Sequence, residues 1–307
     1  MSIGIGLGIA GFPFSGAPAF LEWIDLCEDL GIDSVWVSER LVSSQETLEP
    51  LAAFGVIAGR TQRLKFGMNA IVLPHRDPLV LAKACATLDY LSGGRLLPVF
   101  GVGAETAPEF RATGRNPRGR GSRSDEMLQI MTRLWEGERV TFEGKHFTYR
   151  DAVISPVPVQ QPLPRWIGGS SEAAIRRTAL YGTGWLGGIQ QAGEAGQTIA
   201  RIKAATAEAG RTIDEDHYGA GFAFRFGSRD EPVVQQQMAG LARLGAVGQI
   251  DDYFAIGSDA DIAAHVERYI GEGVSKFVLR PIAATDGEML TQTRHLAEAV
   301  IPRFKGR

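Results

Sequence analysis

Cysteine is scarce in this chain: 307 residues contain two, Cys27 and Cys85. Both lie among apolar neighbours in helical patterns, where a reduced, buried thiol is the ordinary outcome, so a disulfide framework and a thiol nucleophile are set aside. The five histidines (His75, His146, His217, His265 and His295) are scattered without metal-ligand spacing, and no structural or catalytic metal is predicted. No run of 18 or more apolar residues occurs, as a spanning helix would need, and Met1-Ser-Ile-Gly-Ile-Gly lacks the basic n-region of a signal peptide. The expectation is a cytoplasmic protein. Positive charge is not in excess either. A net charge of -3 argues against nucleic acid or an anionic membrane as partner.

What the chain does have is ample core, with 44% hydrophobic and 22% charged residues, and a regular rhythm. Short apolar strands are predicted at 3–9, 34–38, 64–73, 96–101, 165–167, 184–187, 218–226 and 276–280. Amphipathic helices are predicted at 17–30, 48–60, 78–91, 125–135, 192–209, 233–244, 259–271 and 287–303. Strand and helix alternating in this way are the mark of parallel α/β architecture, and eight repeats close most naturally into a (β/α)8 TIM barrel, with a doubly wound open sheet as the alternative. Residues 139–149 alternate with period two about Glu143-Gly144 and read as a hairpin inserted between strands four and five. Residues 1–307 are read as a single domain.

Two glycine-rich stretches draw attention. Gly6-Leu-Gly8-Ile-Ala-Gly11 satisfies the dinucleotide fingerprint as a string, but Pro13 and Pro18 hold the next residues as a loop where that fingerprint needs a helix to open. Its glycines either make room for a ligand beside strand one or give the strand end flexibility. The second stretch, Gly168-Gly169-Ser170-Ser171, links a strand directly to a helix. Its unpaired first-turn amides and the positive end of the helix dipole suit a phosphate, and a plain serine-capped helix is the competing reading. Between strand four and the next helix, Arg111, Arg115, Arg118, Arg120 and Arg123 form either a solvated loop or an anion-recruiting lid.

Three separated runs resemble the bacterial luciferase-like flavoprotein family, which includes FMN-dependent monooxygenases and enzymes of the deazaflavin coenzyme F420. They are Leu81-Ala-Lys-Ala-Cys-Ala-Thr-Leu-Asp89-Tyr-Leu-Ser-Gly-Gly-Arg95-Leu with Gly101-Val-Gly103; Arg123-Ser-Asp-Glu126-Met-Leu-Gln-Ile-Met-Thr-Arg-Leu-Trp135 running into Phe142-Glu-Gly144; and Pro164-Arg-Trp-Ile-Gly168-Gly169-Ser170. The resemblance spans roughly residues 1 to 190 and implies a homodimer. It implies an oxidoreductase whose F420 or FMN rests its phosphate on Gly168, Gly169, Ser170 and Ser171. The ring would lie over a third-strand bulge at Asn69, Ala70 and Ile71, often with a non-prolyl cis peptide, near Gly101 and Gly103.

Where many relatives have a titrating histidine at the end of strand two, this chain has Glu39-Arg40. Arginine does not titrate near neutrality, so Arg40 is assigned to holding an anion and Glu39 to bonding the ring or acting as base, with a rim ion pair between the two as the competing reading. Glu105 and Glu109 are further candidates near the mouth. F420-dependent hydride transfer is favoured over FMN-dependent monooxygenation because the chain lacks long insertions. A non-catalytic flavin-binding protein is the third reading, motivated by the missing histidine.

Overall fold

The first strand shows how the molecule is built. In β1 (Gly4–Ile9), Ile5, Leu7 and Ile9 alternate with Gly4, Gly6 and Gly8, so one face is bulky and the other bare. In the computed structural model, which describes residues 2–243 and 250–306, the bulky face packs outward against helices. The bare face lines the inside of a closed ring of parallel strands.

The chain continues through α1 (Ala17–Asp29), β2 (Ser34–Val37), α2 (Pro50–Arg60), β3 (Lys65–Met68), β4 (Ile71–Val72), α3 (Pro78–Ser92), β5 (Leu96–Leu97) and β6 (Val99–Gly101). Then come α4 (Pro108–Ala112), α5 (Arg120–Trp135), the antiparallel hairpin β7 (Val140–Glu143) and β8 (Thr148–Ala152), β9 (Trp166–Gly168), α6 (Glu172–Tyr181), β10 (Gly184–Leu186) and α7 (Ala192–Glu208). The last part comprises β11 (Tyr218–Ala220), β12 (Ala223–Phe226), α8 (Pro232–Arg243), β13 (Phe254–Gly257), α9 (Asp259–Gly271), β14 (Lys276–Pro281) and α10 (Asp286–His295).

Around the ring neighbouring strands pair in parallel, and β14 returns to β1, with Gly4 opposite Lys276 and Leu7 opposite Leu279. Staves three and four are each broken in two: β3 pairs β5 and β4 pairs β6, the lower and upper halves of one contact. With β6 joined to β9 the ring is complete, and the expected (β/α)8 barrel with its hairpin insertion is what forms.

Several expected boundaries move, each for a local reason. Stave three is interrupted at Asn69–Ala70, a cis peptide. Stave four is interrupted at Pro98, which has no N–H to give a ladder. Stave seven breaks between β11 and β12, and β14 pairs with β11 below and β12 above. Strand β13, beside β12, lay outside the sequence reading. The arginine-rich loop contains α4, and α5 begins at Arg120 rather than 125. The regular part of the last helix ends at His295, followed by a wide turn over Leu296–Val300 and a tight one over Ile301–Phe304. The expected end of α8 at Leu244 lies outside the described residues. Among the described residues no helix is long and apolar enough to cross a membrane.

The bare faces are filled by indoles. Trp36, Val99, Trp166, Leu186 and Val278 form a cluster inside the ring, separate from the helix-facing core. A Cβ on Gly67 would stand 2.4 Å from the Trp36 ring, and one on Gly184 would stand 2.4 Å from Trp166. Gly6 likewise yields to Ser34, whose Oγ accepts from Trp36 Nε1 at 2.9 Å. The Gly6 and Gly8 positions thus make room for Trp36, Ser34 and Val278, which corrects the expectation of ligand room or flexibility beside strand one.

Candidate functional site

Strand polarity directs attention to the C-terminal ends of the staves, where barrel loops gather. At the end of β9, Gly169 has φ +100°, a conformation L side chains rarely adopt, and its carbonyl accepts from Trp185 Nε1 at 2.8 Å. Ser171 is the N-cap of α6: its Oγ accepts from Ala174 N–H at 3.3 Å and its carbonyl from Ile175 N–H at 2.9 Å. The amides ahead of these, from Ser170 to Ala173, have no helical acceptor, and Gly169, Ser170 and Ser171 are exposed. The helix is fixed behind this turn by Arg177, buried and paired with Asp125 of α5 at 2.6 Å.

The broken third stave meets this turn. The Ala70 Cβ lies 3.6 Å from the position a Cβ would take on Gly101 and 3.8 Å from the corresponding position on Gly168. The bulge, the end of stave four and the end of stave five therefore converge on one methyl group. The Asn69 N–H is held by the Val37 carbonyl at 3.1 Å, whereas Ile71 turns its side chain into the helix-facing core and contributes only backbone here. Gly103 has φ +69°, and a Cβ there would stand 2.9 Å from Val72. Its carbonyl accepts from Arg120 Nε at 3.2 Å, and the same arginine pairs with Glu105 at 3.0 Å. Arg115 donates to the Pro74 carbonyl at 3.1 Å, so two of the five loop arginines brace backbone; Arg111 and Arg118 remain exposed.

Glu39 and Arg40 do not pair with each other. The Glu39 carboxylate, 2% exposed, accepts from Val72 N–H at 2.7 Å and pairs with Arg76, which also reaches Glu49 at 2.8 Å. Burial raises the Glu39 pKa above the usual carboxylate value, against the opposing pull of Arg76 and the Val72 amide. Glu39 therefore ties β2 to β4. Arg40, 58% exposed, faces Glu109 of α4 at 3.8 Å, and Glu109 is 6% exposed with Oε2 buried and unbonded. Next to it His75 packs on Phe110 at 4.4 Å, its Nδ1 also buried and unbonded. Burial lowers the His75 pKa, partly offset by Glu109. His75 and Arg76 escaped the sequence reading, although Pro74-His75-Arg76-Asp77 directly follows the third strand. At the opposite end of the barrel Asp214, Asp216 and His217 approach within 4.8 Å of one another beside a cavity of about 200 Å³.

Known proteins resemble this chain over nearly its whole length. The profile of the luciferase-like monooxygenase family matches residues 9–298, nearly the whole chain. The chain belongs to that family. As a luciferase-like protein it is an oxidoreductase. It is similar to the F420-dependent glucose-6-phosphate dehydrogenase of Amycolatopsis mediterranei (strain U-32), at 26% identity over 94% of this chain and 95% of that one. Among solved structures, a monooxygenase from Streptomyces bottropensis superposes with a TM-score of 0.85 at 21% identity, covering 98% of this chain and 100% of that one. The oxygenating constituent of 3,6-diketocamphane monooxygenase from Pseudomonas putida, in complex with FMN, gives 0.83 at 17% identity over 98% of both chains. These solved structures share the barrel.

Proposed function

We infer that residues 1–307 act as one cytoplasmic, homodimeric luciferase-like domain. It uses F420 to move a hydride to or from a small-molecule substrate at the mouth of the barrel. The observation that carries this reading is the meeting of Ala70 with Gly101 and Gly168, a strip of bare backbone beside a turn of unpaired amides. The residues fit such a cofactor: a flat ring needs a surface without side chains, and a phosphate needs N–H donors at a helix start. The similarity to an F420-dependent dehydrogenase over 94% of the chain favours F420 over FMN.

In this reading, the amides from Gly169 to Ala173 hold the phosphate, and Ser170 and Ser171 line the same turn. Asn69, Ala70 and the Ile71 backbone support the ring from below, and Gly101 and Gly103 keep its edge clear. F420 supplies hydride exchange at its deazaflavin carbon, while reduced FMN would supply oxygen chemistry. Glu39 fixes the bulge through Val72 and Arg76 and holds no proton for the reaction. Glu109 Oε2, buried and unbonded, with Arg40 at 3.8 Å from the other carboxylate oxygen, is the acceptor available for a substrate proton.

Side-by-side absorbance and fluorescence titration with F420 and FMN tests the assignment. Tight F420 binding with weak FMN binding is expected. The reverse, together with oxygen-dependent turnover, would make the protein an FMN monooxygenase, and binding of neither would end the reading.

A further inference from the structure

Strand alternation puts Lys276, Val278 and Arg280 on the inner face of β14. Val278 packs with Trp36, Val99, Trp166 and Leu186, and the Arg280 stem crosses β1, its Cγ 3.6 Å from where a Cβ on Gly8 would stand. The guanidinium therefore lies above the indole layer, at the C-terminal end of the ring. Nothing bonds it. Among the described residues it has neither a salt bridge nor a side-chain hydrogen bond, and burial alone lowers its pKa, with no acid near enough to oppose.

Arg95, likewise without a salt bridge among the described residues, spends its guanidinium on Ser92, Thr61, Leu64 and Ala58, and three other buried or half-buried arginines have carboxylate partners. Arg225 at the end of β12 has Glu231 and Glu288, Arg76 has Glu39 and Glu49, and Arg177 has Asp125. Arg280 is half-buried and its guanidinium nitrogens still reach solvent, so an unpaired cation in the mouth is open to an anion that arrives from outside.

We propose that Arg280 anchors a substrate bearing a single carboxylate, gripped by the two-pronged edge of the guanidinium above the Trp36 layer. The proposal rests on the reading of this mouth as the oxidoreductase site. One unpaired cation matches one negative charge. A phosphate dianion calls for more, and the described residues offer no second free cation at this level: Arg40 faces Glu109, and Lys276 lies below the Val278 layer. The substrate chemistry therefore differs from the phosphorylated sugar in the name of the Amycolatopsis relative.

The test is calorimetric titration of wild type, Arg280→Gln and Arg280→Lys with hexanoate, benzoate, inorganic phosphate and glucose 6-phosphate, with and without F420. The carboxylates should saturate wild type, bind at least about tenfold more weakly to Arg280→Gln, and fall between for Arg280→Lys, which keeps the charge but loses the fork. Phosphate and glucose 6-phosphate should bind wild type more weakly than either carboxylate. Absence of carboxylate binding to wild type, equal affinity in Arg280→Gln, or a preference for the phosphates would each overturn the proposal. The wild-type preference stands as a test even if Arg280→Gln does not fold. Titration of the same proteins with F420 and FMN separates the two readings. Wild type that takes a cofactor but no carboxylate refutes only the anchor, and wild type that takes neither cofactor refutes the site.

Discussion

Gly169 and Gly67 are bare for different reasons, and single substitutions separate them. At Gly169 the φ of +100° and the neighbouring free amides both matter. Gly169→Asp adds a carboxylate where a phosphate is to sit, and F420 or FMN affinity is expected to fall by about tenfold or more, with Gly169→Ala losing less because it carries strain without charge. Ligand titration of the two variants reads the difference. At Gly67 the problem is space: a methyl would meet the Trp36 ring at 2.4 Å and the Leu97 carbonyl at 2.6 Å. Gly67→Ala should cost about 1–3 kcal/mol in urea denaturation while leaving the turn at Gly169 intact. Glycine content was legible in the sequence, but what each glycine makes way for was not, because Trp36 and Gly67 become neighbours only when two strands pair. Glu39 and Arg40 illustrate the same limit. Adjacent residues at a strand end point to opposite sides, so Glu39 found Arg76 and Arg40 found Glu109.

The runs that carried the family resemblance work largely as fasteners between elements. Arg95 donates to Ser92, Thr61, Leu64 and Ala58, locking the start of stave four to the end of α2. Asp89 of α3 accepts from Gln160 N–H at 3.0 Å, which holds the proline-rich approach to β9. Glu126 of α5 accepts from the backbone N–H groups of Lys145, His146 and Phe147 at 2.8, 2.9 and 3.1 Å, pinning the hairpin tip. Removing that carboxylate in Glu126→Ala should cost about 1–3 kcal/mol and speed amide exchange at residues 145–147, followed by hydrogen-exchange mass spectrometry. Alternating hydrophobicity announced the order of elements, and the hairpin was visible in its period of two. Interruptions were harder to see. Pro98 breaks a ladder that its apolar neighbours advertise as continuous, and β13 is four residues long between a short turn and a helix.

At the scale of the whole molecule, acid is expected to loosen the fold through buried histidine. His265 of α9 packs on Phe222 and Tyr269, accepts at Nδ1 from Arg268 and leaves Nε2 unbonded. Burial, with the Arg268 charge adding to it, pushes its pKa down from 6.5 to about 4. The folded state therefore binds this proton less readily than the unfolded chain. The associated stability is full above pH 6.5 and drains away as pH falls toward 4, by roughly 3 kcal/mol in all. Melting temperature measured from pH 7.5 to 5 should fall for wild type and fall less for His265→Gln. His75, shifted in the same direction, keeps part of the slope. Eight repeats favoured ring closure over a doubly wound open sheet, because closure alone leaves no unpaired edge strand.

Trp36 and Trp166 stop the shaft of the barrel from within. On the proposed reading, traffic is consequently one-ended: coenzyme, reactant and product all pass the C-terminal mouth, so whichever is seated deepest enters first and leaves last, an order that the two indoles impose.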